Sequence, residues 1–94
     1  MVKNYKVKHV KKILDKTYGG MNYPAAVAHN VKDYPGKQVI LIAEKRKARI
    51  PGTIRHEVVE KNIMERMGPP YTMSKYRKAH AATLKFEKGK KGRR

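Results

Sequence analysis

Hydrophobic positions along the chain fall into five stretches, and the spacing inside each predicts an element. Val7, Val10, Ile13 and Leu14 recur at three-and-four intervals among Lys3, Lys6, Lys8, Lys11, Lys12 and Lys16. That period predicts a short amphipathic helix over residues 3–16, while the Tyr5/Val7 alternation suits a strand at its start. Thr17-Tyr18-Gly19-Gly20 breaks the pattern. Pro24 then fits the first turn of a short helix through Ala25, Ala26, Val27, Ala28 and His29, because its missing N–H has no intrahelical partner there. Asp33-Tyr34-Pro35-Gly36 reads as a turn, and Val39-Ile40-Leu41-Ile42-Ala43, rich in β-branched residues, as a buried strand with Arg46 to Ile50 as its hairpin partner.

The fourth stretch carries the clearest helix, about Ile54 to Met67. Pro51-Gly52-Thr53 opens it, with Thr53 or Gly52 as N-cap, and Gly68-Pro69-Pro70 stops it. That stop also accounts for Pro69-Pro70-Tyr71 without a peptide-recognition role. A second helix, roughly Ser74 to Glu87 with Thr72 or Ser74 as cap, follows a connection short enough to make the two antiparallel neighbours. Lys88-Gly89-Lys90-Lys91-Gly92-Arg93-Arg94 has nothing to bury and is expected to be a disordered basic tail. The pattern therefore predicts one α+β domain over residues 1–87, mostly helical, with a strand or short hairpin packed on an antiparallel helix pair, and a flexible tail over 88–94.

Composition adds the partner class. The 94 residues include 24 Lys or Arg but only 7 Asp or Glu, for a formal charge of +17. Small soluble domains usually carry roughly 2–8 net charges, because more adds self-repulsion to the compact state. Lys45, Arg46, Lys47 and Arg49, then Lys75, Arg77 and Lys78, then Lys88, Lys90, Lys91, Arg93 and Arg94 form clusters with few acids nearby. Phosphates are the natural counter-charge, so these residues are the expected nucleic-acid contacts. The six tyrosines suit either base stacking or the core, since the chain has one Phe and no Trp. Cysteine is absent, which removes disulfides and thiolate metal clusters. No apolar run approaches the ~18 residues of a membrane span, and no signal-type segment follows Met1, so a cytoplasmic protein without a membrane partner is expected.

A second constellation sits on the two long helices. On a wheel of about 100° per residue, His56 and Glu60 fall in the apolar sector of Val59, Ile63, Met64 and Met67. His80 likewise lies in the stripe of Tyr76, Ala79, Thr83 and Leu84. A buried lone carboxylate is costly, so Glu60 requires a proton, a histidine partner or a cation. Two imidazoles and a carboxylate form a donor set that zinc accepts. His9 and His29 have no such context and read as surface or helix-end histidines.

The stretch Val39 to His80 resembles a pared-down zincin-type metallopeptidase: a strand, a linker, then Arg55-His56-Glu57-Val58-Val59-Glu60 on a helix. The resemblance implies that His56 is the first ligand of an HExxH-like motif and that Glu57 is the general base. Glu60 stands where that family has its second histidine, and His80 takes the place of a downstream ligand. The basic tail is similar in composition to the extensions of small ribosomal proteins.

Weighing both features, the expected function is nucleic-acid binding, with RNA in a ribonucleoprotein such as the ribosome preferred over DNA and no cofactor required. The alternatives are a zincin-like zinc protein or metallohydrolase using His56, Glu57, Glu60 and His80, and a viral or plasmid DNA-binding protein whose basic helix at 74–87 enters a major groove.

Overall fold

The computed structural model describes residues 5–11, 13 and 18–91, the last three of these by backbone alone. Within them the chain is α+β, as the pattern predicts. In order it forms β1 (Lys6–His9), β2 (Gly20–Met21), α1 (Tyr23–Ala28), β3 (Val39–Ile42), a single 3-10 turn (Lys47–Arg49), α2 (Ile50–Met67) and α3 (Met73–Lys91).

β3 is the centre of a three-stranded mixed sheet in the order β1-β3-β2. Its Ile40 and Ile42 are fully buried, which explains why the most β-branched run in the chain takes this place. β1 runs parallel to it, from Lys6 opposite Val39 to His9 opposite Ile42. β2 pairs antiparallel on the other side, Gly20 opposite Ile42 and Met21 opposite Leu41. A parallel pair needs a long crossover, and here β2 and α1 lie within it.

Two expectations change. Lys6–His9 is a strand, the reading that the Tyr5/Val7 alternation suits, and not the opening of a helix over 3–16; all four of its residues are exposed. With no face of this segment buried, helical spacing had nothing to pack against, and edge pairing with β3 prevailed; its lysines suit an unpaired sheet edge. The rest of the 3–16 segment, apart from a bridge between Ile13 and Tyr18, lies largely outside the described residues. Arg46 to Ile50 is not a hairpin partner of β3. It forms the 3-10 turn and runs directly into α2, because both edges of β3 are already occupied by upstream strands.

α2 starts at Ile50 with Pro51 in its first turn, four residues before the expected start. Thr53 therefore does not cap; its hydroxyl donates to the Arg49 carbonyl at 3.0 Å. Gly68 ends the helix with φ of 79°, a conformation glycine adopts without penalty. Thr72 caps α3 by accepting from the Lys75 N–H at 3.3 Å. α3 continues past Glu87 to Lys91, taking in the first four residues of the basic segment, and residues 92–94 lie outside the described ones. The helices are antiparallel: His56 meets Glu87, Glu60 meets His80, and Gly68 meets Lys75.

The core is built from Ile13, Met21, Ala25, Ala26, Met64 and Ala79, with the three alanines allowing close approach of the helices. Leu84, expected in this core, is instead about half exposed. β2 reaches α2 so closely that a Cβ on Gly20 would lie 2.9 Å from both Glu57 Cγ and Thr53 Cγ2. Gly20→Ala should therefore cost roughly 1–3 kcal/mol of overpacking. At Gly19 the nearest atoms stand 3.7 Å from such a Cβ, so Gly19→Ala should be nearly neutral. Urea midpoints of the two variants test this, and equal midpoints would show that β2 and α2 are not this tightly apposed.

Candidate metal centre

α2 places His56, Glu57 and Glu60 toward β2 and α3, and α3 brings His80 and Glu87 to meet them. Glu60 is 2 % exposed and sits at the middle. Its Oε2 lies 2.8 Å from His80 Nδ1 and 3.4 Å from His56 Nε2. One ligand atom from each of His56, Glu60 and His80 lies within 4.8 Å of the others. The sequence-predicted trio is thus assembled at one point, with Glu57 beside it.

Two further residues complete the centre. Glu87 Oε2 is 3.0 Å from His56 Nδ1, so the ring is held at its far nitrogen while Nε2 faces Glu60. Asn22, wholly buried, accepts the Ala25 N–H through Oδ1 and so caps α1. Its amide nitrogen donates to Glu57 Oε1 at 2.8 Å and to Glu60 Oε1 at 3.1 Å. One side chain thereby fixes both carboxylates, leaving Glu60 Oε2 for the histidines. Glu87 was signalled in the sequence, since it follows His80 by two helical turns on the same face. Asn22 was not, because nothing local links it to α2.

The charge states follow from these contacts. The hydrogen bond to Glu60 raises the His56 pKa to about 9, against the opposing effect of burial and with help from the charges of Glu57, Glu60 and Glu87. Burial and then the charge of Glu60 raise Glu57 to about 8, only partly offset by His56 and Asn22. Burial also pushes Glu60 upward, but hydrogen bonds from His56 and His80 and their charges outweigh it and hold Glu60 below the usual carboxylate range. At neutral pH without an ion, the centre is an anionic Glu60 under a protonated His56, beside a protonated Glu57.

The centre opens into a cleft of about 1160 Å3 lined by Gly19, Gly20, Glu44, Arg49, Thr53 and Arg55 among others. Tyr76 stacks on His80 with ring centroids 5.5 Å apart. Tyr18 packs edge-on to His29, and Tyr23 edge-on to Tyr34, whose hydroxyl donates to the carbonyls of Met21 and Val39. Four of the six tyrosines are thus engaged in ring contacts within the fold. His29, which lies near a helix end as expected, is held by Tyr18 and the Ala25 carbonyl, and His9 is exposed on β1.

The predicted basic residues divide. Lys45, Arg46, Lys47, Arg49, Arg77, Lys78 and Lys88 are exposed. Lys75 is half-buried and donates to the Gly68 carbonyl at 2.8 Å, so it serves the end of α2. The side chains of Lys90 and Lys91, and all of Arg93 and Arg94, lie outside the described residues. Among the described residues no arginine lies within ion-pair distance of a carboxylate. No described helix is long and apolar enough to cross a membrane.

Comparison with known proteins returns no match to a protein-family model, to a curated protein or to a solved structure.

Proposed function

We propose that the chain is a zinc-type metal protein with a hydrolytic centre, its ion held by His56, Glu60 and His80. The observation that carries this reading is the convergence of two imidazole nitrogens on one buried carboxylate oxygen. Zinc bonds to nitrogen and oxygen are about 2.1 Å, so tetrahedral ligand atoms stand about 3.4 Å apart. His56 Nε2 and Glu60 Oε2 already have that separation, and His80 Nδ1 has to withdraw by about half an ångström. The second nitrogen of His56 rests on a carboxylate, the arrangement that fixes tautomer and direction in zinc-bound histidines. Three protein ligands with a cleft beside them match a catalytic rather than a closed structural site.

When bound, such an ion supplies Lewis acidity, polarising a substrate oxygen and making water more acidic. The chain's own residues do the rest. Asn22 holds Glu60 with Oε2 directed to the histidines and holds Glu57 by Oε1, leaving Glu57 Oε2 at the cleft wall as a proton acceptor in its ionised form. The ion-free protein reaches that form above about pH 8, and the positive charge of a bound ion would favour it at lower pH. Arg49 and Arg55 give that cleft a cationic rim suited to an acidic substrate. Protein dialysed against zinc should retain one ion per chain. Glu57→Gln should keep the ion and lower the rate of amide or peptide hydrolysis about 100-fold or more, the usual contribution of a general base. Failure of the dialysed protein to retain stoichiometric zinc removes this reading.

A second reading, nucleic-acid binding with RNA in a ribonucleoprotein preferred, is favoured by the charge of +17 together with arginines that, among the described residues, no carboxylate neutralises. Its affinity should fall steeply with salt, and affinity indifferent to salt would end it.

A further inference from the structure

The helix that supplies His80 to the cleft also has an outer face. At about 100° per residue, Ser74, Arg77, Lys78, Ala81, Lys85 and Lys88 fall within one sector about 100° wide. Every one of them is exposed. Glu87, the one acid on α3, points the other way, to His56. Four cations therefore share a face that holds no acid, and neither arginines nor lysines on it take part in an ion pair among the described residues.

The dimensions suit a groove. Arg77 to Lys88 spans eleven residues, about 16 Å at 1.5 Å rise each. An α-helix is about 10–12 Å across and the major groove of B-form DNA about 12 Å wide, whereas the A-form major groove of RNA is too narrow to admit one. Ser74 and Ala81 leave the middle of the face low, with the long cationic side chains rising around them to reach phosphates. No aromatic side chain lies in the sector, since Tyr76 and Phe86 project elsewhere on the wheel, so the face lacks the stacking platform that single strands require.

We infer that the outer face of α3 is a docking surface for duplex DNA, set in the major groove with Arg77, Lys78, Lys85 and Lys88 on backbone phosphates. This rests on the nucleic-acid reading above, taking duplex DNA for this face in place of the RNA preferred there, and is independent of the metal centre. It places the two features of the chain on different faces of one helix, His80 lying about 110° round from the centre of the cationic sector.

The test compares two full-length variants of equal charge. One carries Arg77→Gln, Lys78→Gln, Lys85→Gln and Lys88→Gln. The other carries Lys45→Gln, Arg46→Gln, Lys47→Gln and Arg49→Gln, all exposed positions away from this face. Binding to a 24-base-pair DNA duplex, to the RNA duplex of the same sequence and to a loop-containing structured RNA is followed by fluorescence anisotropy from 50 to 300 mM salt, with circular dichroism confirming the fold of each variant. The α3 variant should bind DNA at least about tenfold more weakly than the other, and its log–log salt slope should be shallower than wild type by about 3–4, close to 0.9 for each lost phosphate contact. Equal losses in the two variants would overturn the site while leaving nucleic-acid binding intact. RNA duplex bound as tightly as DNA by the wild type would overturn the groove assignment. Wild-type protein that binds the loop-containing structured RNA but neither duplex would overturn this inference alone, whereas binding none of the three in a salt-dependent way would remove the parent reading itself.

Discussion

Zinc at about a hundredfold excess over its dissociation constant should stabilise the wild-type protein by about 2.7 kcal/mol, and so raise its melting temperature by roughly 10–20 °C for a chain of this size. His80→Ala is the informative variant. Its imidazole is 40 % exposed, so removing it leaves little of the core unfilled, and the ion-free melting temperature should move by only a few degrees. The zinc-dependent shift, by contrast, should fall to near zero, because two ligands cannot hold the ion against water. Glu60→Ala should lose the shift as well, but also melt much earlier without zinc. Glu60 is buried, and its loss leaves His56 protonated without its main partner and the Asn22 amide short of an acceptor. A zinc shift of equal size in wild type and His80→Ala would place the ion elsewhere and sink the assignment.

The same contrast shows which parts of the molecule were legible in the sequence. The inward facing of His56, Glu60 and His80 followed from helical period alone, because α2 and α3 are long enough for period to dominate. Gly68 and Thr72 marked their ends for reasons of backbone geometry and capping that are local to a few residues. β1 was obscured because Lys6, Val7, Lys8 and His9 are all exposed. Their conformation is set by hydrogen bonds to β3 more than thirty residues away, so the Tyr5/Val7 alternation that suits a strand competed in the sequence with the helical spacing from Val7 onward. The early start of α2 was hidden by Pro51 and Gly52, which resemble a loop but are tolerated in a first turn where N–H groups lack intrahelical partners.

Asn22 is the instructive omission. Read locally it is an N-cap two residues before Pro24, and it does perform that role. Its other half bridges Glu57 and Glu60 across more than thirty residues of chain. The start of α1 and the carboxylates of α2 are therefore fixed by one amide, and disturbing either displaces the other. Gly20 reinforces this from β2, since only a residue without Cβ lets the strand lie against Glu57. The centre is thus held by four elements, though its three candidate ligands come from two.

The ion-free protein should be most stable near pH 5 and lose several kcal/mol by pH 9, opposite to the usual behaviour of a domain stabilised by ionised carboxylates. Glu57 has an ordinary value of 4.5 and is raised to about 8. Across that window the folded protein keeps a proton that the unfolded chain has released, so stability falls with rising pH at up to about 1.4 kcal/mol per unit. His56 is raised from 6.5 to about 9, so its pairing with Glu60 contributes in full below pH 6.5 and is lost as the pH climbs through 9. Glu60 acts at the other end. Held below its ordinary 4.5, it contributes above that value and is lost as the solution becomes more acidic, which sets the lower limit of the optimum. Melting temperatures between pH 4 and 9 in chelator test this directly, and a rise from pH 5 to 8 would contradict it. Glu57→Gln should flatten the slope between about pH 5 and 6.5 and roughly halve it between 6.5 and 8, where Glu57 and His56 both contribute in the wild type, leaving only the His56 decline up to about pH 9. Zinc should reverse the trend: His56 and His80 bind an ion only as neutral imidazoles, so its stabilising effect should grow over the same pH range in which the ion-free fold weakens.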